Sequence, residues 1–196
     1  MSKLAGVLVA VAFVAVGCGG SDDNAAEPRA GDQQTAVSGQ VPFDRAFIDA
    51  MVPHHRDAIA MAEAAKDRGL TQPELDKVAT DIIASQQREI DEMLDWREQW
   101  FGSRTLGSIE PEVLGVPESE LAMDHGGADA ITGAADVDAT FAEMMIPHHQ
   151  SAIVMAEAAG ERAEHEEVKE LAAAIIEAQE REIDILELHA TAMNHG

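Results

Sequence analysis

Asp44-Arg45-Ala46-Phe47-Ile48-Asp49-Ala50-Met51-Val52-Pro53-His54-His55 is answered later in the chain by Asp138-Ala139-Thr140-Phe141-Ala142-Glu143-Met144-Met145-Ile146-Pro147-His148-His149. The match runs on from Ala58-Ile59 and Met61-Ala62-Glu63-Ala64-Ala65 into Ala152-Ile153 and Met155-Ala156-Glu157-Ala158-Ala159, always 94 positions apart. At a displacement of 93, Ile82-Ile83, Gln86 and Arg88-Glu89-Ile90-Asp91 meet Ile175-Ile176, Gln179 and Arg181-Glu182-Ile183-Asp184. A unit of this length that recurs within one chain is a duplicated structural element.

Each copy reads as a helical hairpin. Asp44 and Asp138 are placed to cap the first helix of each copy. Thr71-Gln72-Pro73-Glu74 combines a capping box with proline at a first helical position, and Gly69 and Gly160 are suited to close the preceding helices. The expected fold is all-α: a ferritin-like four-helix bundle of two duplicated hairpins, repeat 1 over 43–101 and repeat 2 over 138–195. The Gly-, Pro- and Ser-containing stretch 102–137 serves as a long crossover within a bundle domain spanning 42–196.

Helical periodicity decides which residues face inward. At 100° per residue, Asp44, Phe47, Met51, His54, His55, Ala58, Ala62 and Ala65 share one stripe, with Met61 two turns beyond His54. On the second helix Leu75, Ala79, Ile82, Gln86, Met93 and Trp100 face inward, with Glu89 beside them. The second copy places Ala172, Ile175, Gln179, Glu182, Ile183, Leu186 and Met193 likewise. Pro53 and Pro147 withdraw the N–H that the carbonyls of Asp49 and Glu143 would accept, so a bend or break is expected beside the histidines.

An inward face holding His-His, Gln and Glu from several helices is costly unless its polar groups are paired or bind something. Imidazoles and carboxylates converging between helices are how bundles build metal sites. The candidate ligands are Met51, His54, His55 and Met61, with Met145, His148, His149 and Met155 from the second copy, and the carboxylates Glu89 and Glu182. Thioether with imidazole favours copper, above all Cu(I), whereas the two glutamates would suit zinc, iron or manganese. A di-iron site would carry Glu-x-x-His, but the residue three after Glu143 is Ile146, which counts against iron oxidation. Met123-Asp124-His125 and Met193-Asn194-His195 are further, weaker soft-metal motifs.

Outside the repeat the chain reads as an address. Lys3 precedes an apolar run from Leu4 to Val16 that ends in Ala15-Val16-Gly17-Cys18. This is the size of a signal-peptide core and short of the roughly 20 residues of a membrane helix. Residues 1–17 are read as a signal peptide, Cys18 as the lipidated first residue of the product, and 18–41 as a flexible tether. The expected location is the extracytoplasmic face of a membrane in the cell envelope. With 13 Lys and Arg against 37 Asp and Glu, a formal charge of −24 excludes a nucleic-acid partner. A single cysteine excludes a disulfide framework and a thiolate zinc site.

With Asp-x-x-Phe, Met-(Val/Ile)-Pro-His-His and Ala-Ile-x-Met-Ala in both copies, the chain resembles the bacterial family called domain of unknown function 305 over about residues 43–195. The resemblance implies a ferritin-like bundle, exported or lipid-anchored, with copper binding known among some members. Carried over by position, it implies Met51, His54, His55 and Met61, with their second-copy partners, as ligands. Leu186 stands where the first copy has Met93, and His189 where it has Trp96, so the two halves need not bind equally. A copper binder or carrier is the leading expectation, with a metal ion and the anchoring membrane as partners; a homodimer is compatible with it. A metal-dependent hydrolase or oxidase and a purely structural bundle are the alternatives.

Overall fold

The computed structural model describes residues 41–121 and 126–191. Cys18 and the signal and tether segments up to residue 40 lie outside the described residues, as do the Met123–His125 and Met193–His195 motifs. Four long helices carry the fold: α1 (Phe43–Arg68), α2 (Pro73–Phe101), α5 (Val137–Arg162) and α6 (Glu166–Thr191). The crossover adds α3 (Pro111–Leu114), a 3₁₀ turn at Glu118–Glu120 and α4 (Gly127–Gly133). There are no strands among the described residues, so the chain is all-α, as the periodicity requires. None of the described helices is long and apolar enough to cross a membrane.

α1 packs along α2, α5 along α6, and the hairpins meet mainly through α1 and α5, with α4 laid against both. One apolar cluster joins Ala46–Val52 of α1 to Ala152–Ala159 of α5. The other joins Ala58–Ala65 of α1 to Phe141, Ala142 and Met145. The early part of each helix thus meets the late part of the other, and α1 and α5 run antiparallel. Their point of crossing lies at the histidines, between the two clusters. The stripe read from the sequence is buried from Phe47 to Ala65 on α1 and from Leu75 to Met93 on α2; Trp100, at the end, is only partly covered.

The helix ends differ from expectation in instructive ways. Gly69 closes α1 in the left-handed conformation (φ 89°), and its N–H donates to the carbonyls of Ala65 and Lys66. Gly160, by contrast, lies inside α5, which continues to Arg162 and ends at an extended Ala163. Pro42 precedes α1, and Asp136 caps α5 by accepting the Ala139 N–H at 3.1 Å. Asp44 and Asp138 are therefore within the first turns, and each serves the opposite hairpin. Asp44 accepts the N–H groups of Glu164 and His165, both at 2.9 Å, in the α5–α6 bend. Asp138 accepts the Thr71 N–H at 2.9 Å in the α1–α2 bend. The Thr71 hydroxyl also donates to Asp138, so it is not available to cap α2, whose flanking Gln72 makes no side-chain cap.

Both prolines lie inside uninterrupted helices, so neither breaks the helix beside the histidines. The remaining helical bonds and the packing of the apolar stripe outweigh the lost N–H. One buried ion pair has no counterpart in the second copy. Arg97 donates to Asp49 at 2.6 and 3.3 Å and to the Ser103 carbonyl at 2.6 Å. The corresponding residues are Glu143, which is exposed, and Ala190. The pair fixes the end of α2 and the start of the crossover, whose Gly107 lies so close to the Asp49 carboxylate that a Cβ would come within 2.7 Å of it.

Candidate metal centre

The histidines are carried where the two hairpins cross. His54 and His55 on α1, and His148 and His149 on α5, are all buried, none more than 5% exposed. Adjacent residues on a helix point about 100° apart, so each pair sends one ring toward the other hairpin and one toward its own. The structure follows that division. The His54 and His148 rings lie against each other with centroids 3.8 Å apart, tilted by 40°. His148 and His149 centroids are 6.4 Å apart.

His55 and His149 turn instead to their own hairpins. His55 Nε2 is 2.7 Å from Glu89 Oε2, and His149 Nε2 is 2.7 Å from Glu182 Oε2. A carboxylate accepts, so in the neutral ring the proton sits on Nε2 and the Nδ1 lone pair is left to the interior. A carboxylate holding one imidazole nitrogen while the other faces a metal is a common arrangement around bound ions. Glu89 and Glu182, candidate ligands by sequence, are here engaged in orienting imidazoles.

Six ring nitrogens lack hydrogen-bond partners: both of His54, both of His148, and Nδ1 of His55 and His149. The amide oxygens of Gln86 and Gln179, buried on α2 and α6, are also unpartnered. Burial holds the His54 pKa well below the usual histidine value, with the neighbouring imidazoles of His148, His55 and His149 adding to the effect. Burial, then His149 and His55, push His148 down to about 3, against a smaller opposing contribution from the His54 backbone. Mutual influence of this kind shows that all four rings share one region. His54 and His148 are thereby kept neutral, the state in which imidazole binds metals.

Sulfur flanks the layer on both sides. Met51 and Met155 belong to one apolar cluster, Met61 and Met145 to the other, and none is more than 3% exposed. Among the described residues no three His, Cys, Asp or Glu side chains are placed so that they could hold a metal ion between them. The donors are gathered, and the two central rings rest on each other. For a soft ion the set fits: unpartnered imidazole nitrogens and thioethers, with Glu89 and Glu182 engaged by His55 and His149.

Repeat logic passes over three features of this region. Met144 is half-buried beside Met145, and its counterpart is Ala50. Asp49 and Arg97 pair without an equivalent in the second copy. His165, the counterpart of Thr71, stacks on Trp100 with centroids 3.7 Å apart and lies 2.5 Å from the Asp44 carboxylate. The doubled Met144-Met145 is the one sequence signal that could have marked any of them.

Comparison with known proteins bears on this arrangement. The sequence model of a family described as "Domain of unknown function (DUF305)" matches residues 44–190. A copper-protein structure, CopM in the Cu(II)-bound form, is 37% identical, covers 76% of this chain and 96% of its own, and superposes with a TM-score of 0.62. CopM in the Cu(I)-bound form is 35% identical over 78% of this chain and 98% of its own, with a TM-score of 0.63. A DUF305 protein of Streptomyces coelicolor, 23% identical over 74% of this chain and 90% of its own, shares the fold with a TM-score of 0.66. An uncharacterized protein of Acanthamoeba polyphaga mimivirus is 44% identical over 50 residues, 26% of this chain and 32% of that protein. The chain thus matches about a third of the length of that curated relative.

Proposed function

The chain belongs to the DUF305 family, and on that premise we propose that it is a lipid-anchored copper-binding protein of the cell envelope, acting in copper carriage or tolerance with Cu(I) as its preferred ion. One observation carries the reading: four buried imidazoles meet at the hairpin crossing with six ring nitrogens unpartnered. CopM, a relative of the same fold, is described in Cu(I)- and Cu(II)-bound forms. Met51, His54, His55, Met61, Met145, His148, His149 and Met155 are the proposed donors, with Glu89 and Glu182 orienting the rings of His55 and His149.

The other two readings fit less well. A metal-dependent hydrolase or oxidase needs an open coordination position beside a bound substrate, and rings no more than 5% exposed leave little room for one. A structural polar layer would fix helix register through its hydrogen bonds. Here the layer leaves most of its ring nitrogens without any, so it costs stability unless something binds. Zinc and iron are disfavoured by the engagement of both glutamates.

The protein purified without chelators and loaded with Cu(I) is expected to retain at least one equivalent through desalting. Replacing His54, His55, His148 and His149 with Ala should abolish that retention. A variant that keeps its copper would rule out these donors.

The anchor is a separate part of the proposal, resting on Ala15-Val16-Gly17-Cys18 after the apolar leader. Cys18→Ala should move the protein from the membrane to the soluble fraction, and continued membrane association would count against lipidation at that residue.

A further inference from the structure

Six described methionines are divided equally between the two sides of the histidine layer. Met51, Met93 and Met155 lie in one cluster, and Met61 and Met145 in the other with Met144 packed against them. The sides differ in access. Met51, Met93 and Met155 are fully buried, whereas Met144 is only half-buried.

The duplication shows where this difference arises. Met93 corresponds to Leu186, and Met144 to Ala50. The third sulfur therefore stands at an interior position of α2 on one side, and at the margin of α5 on the other. Simple filling does not explain it, because Ala50 occupies the equivalent place and is 1% exposed.

Gly127, at the start of α4, shows how the open side is built. A Cβ there would collide with the Met61 sulfur and come within 3.7 Å of Met144 Cε. Both side chains thus end at one glycine, which leaves room for the Met61 sulfur. Met144 is half-buried at the margin, and Met61 and Met145 behind it are buried. Thioethers are neutral, soft ligands that suit Cu(I) and Ag(I) and discriminate against hard ions.

We propose that Met144 and Met61, beside Gly127, form a thioether port through which a soft monovalent cation reaches the histidine layer, the Met51–Met93–Met155 side being closed. This rests on the copper-binding reading and gives the same site a direction of entry. Cu(I) is the ion carried, and Ag(I) is its spectroscopically convenient stand-in.

The test uses the whole mature protein. With methionine methyl groups labelled with ¹³C, substoichiometric Ag(I) should shift the Met144 and Met61 signals before those of Met51 and Met155. Met144→Leu should slow Cu(I) uptake from a competing chelator about tenfold, as loss of one transient ligand on the path requires. Its final stoichiometry and melting temperature should remain those of wild type, and Met93→Leu should fill at the wild-type rate. Wild-type protein that retains no Cu(I) would overturn the copper-binding reading itself. If wild type binds, the port alone is overturned by unchanged uptake in Met144→Leu, equal slowing in Met93→Leu, or an unmoved Met144 signal.

Discussion

Metal-free protein carrying His54→Leu and His148→Leu is expected to melt at a higher temperature than metal-free wild type while retaining far less copper. The two rings have no hydrogen-bond partners at either nitrogen and are almost entirely buried. A buried polar group left unpaired costs about 1–3 kcal/mol. Leucine is of similar volume, makes no such demand and suits the apolar clusters on both sides. At about 2–4 °C per kcal/mol for a domain of this size, relief at both positions should be plain in a thermal scan. Stability gained as binding is lost marks residues kept for a ligand. A variant that melts lower, or that holds copper as wild type does, would contradict the assignment of these rings.

The second large effect is acid sensitivity of the metal-free fold. The folded-state pKa of His54 lies well below 6.5 and that of His148 is about 3, so the unfolded chain takes up protons more readily than the folded one. Stability is therefore full above about pH 6.5 and is lost as pH falls, at about 1.4 kcal/mol per pH unit toward pH 3 for His148, with His54 acting in the same direction. That slope, before His54 adds to it, is steep beside a typical domain stability of about 5–15 kcal/mol. Urea unfolding between pH 7 and 4 should show this slope, and the double leucine variant should lack most of it. Equal slopes in the two proteins would mean that these imidazoles are not buried in the neutral form. Copper loading should displace the wild-type transition to lower pH, since protons then compete with the ion for the same nitrogens.

What the sequence discloses is set by the range of the interactions concerned. The 100° periodicity is local, so the buried stripe from Phe47 to Ala65 and the inward placement of both His-His pairs can be read directly. The internal repeat adds the hairpins and the pairing of equivalent positions. Contacts that depend on how hairpins align are not local and escape such a reading. Glu89 and Glu182 can be recognised as inward-facing, but their grip on His55 and His149 follows from helix register within each hairpin. Asp44 and Asp138 have the composition of N-caps. Their actual partners lie in the opposite hairpin, and no one-dimensional rule brings Asp44 to Glu164. Met144 and the Asp49–Arg97 pair are asymmetric, so a method that looks for what the copies share passes over them. Gly160 has the identity of a helix terminator, but the helix runs past it to Arg162, with Ala159 before it and Ala163 after it both buried in one cluster.

The reciprocal use of Asp44 and Asp138 has a mechanical consequence. Each stands at the entrance of one hairpin and holds the bend of the other, so parting the hairpins removes the acceptors from both bends at one stroke. Opening the hairpins is thereby coupled to loosening both bends at once, which opposes any partial parting at the crossing.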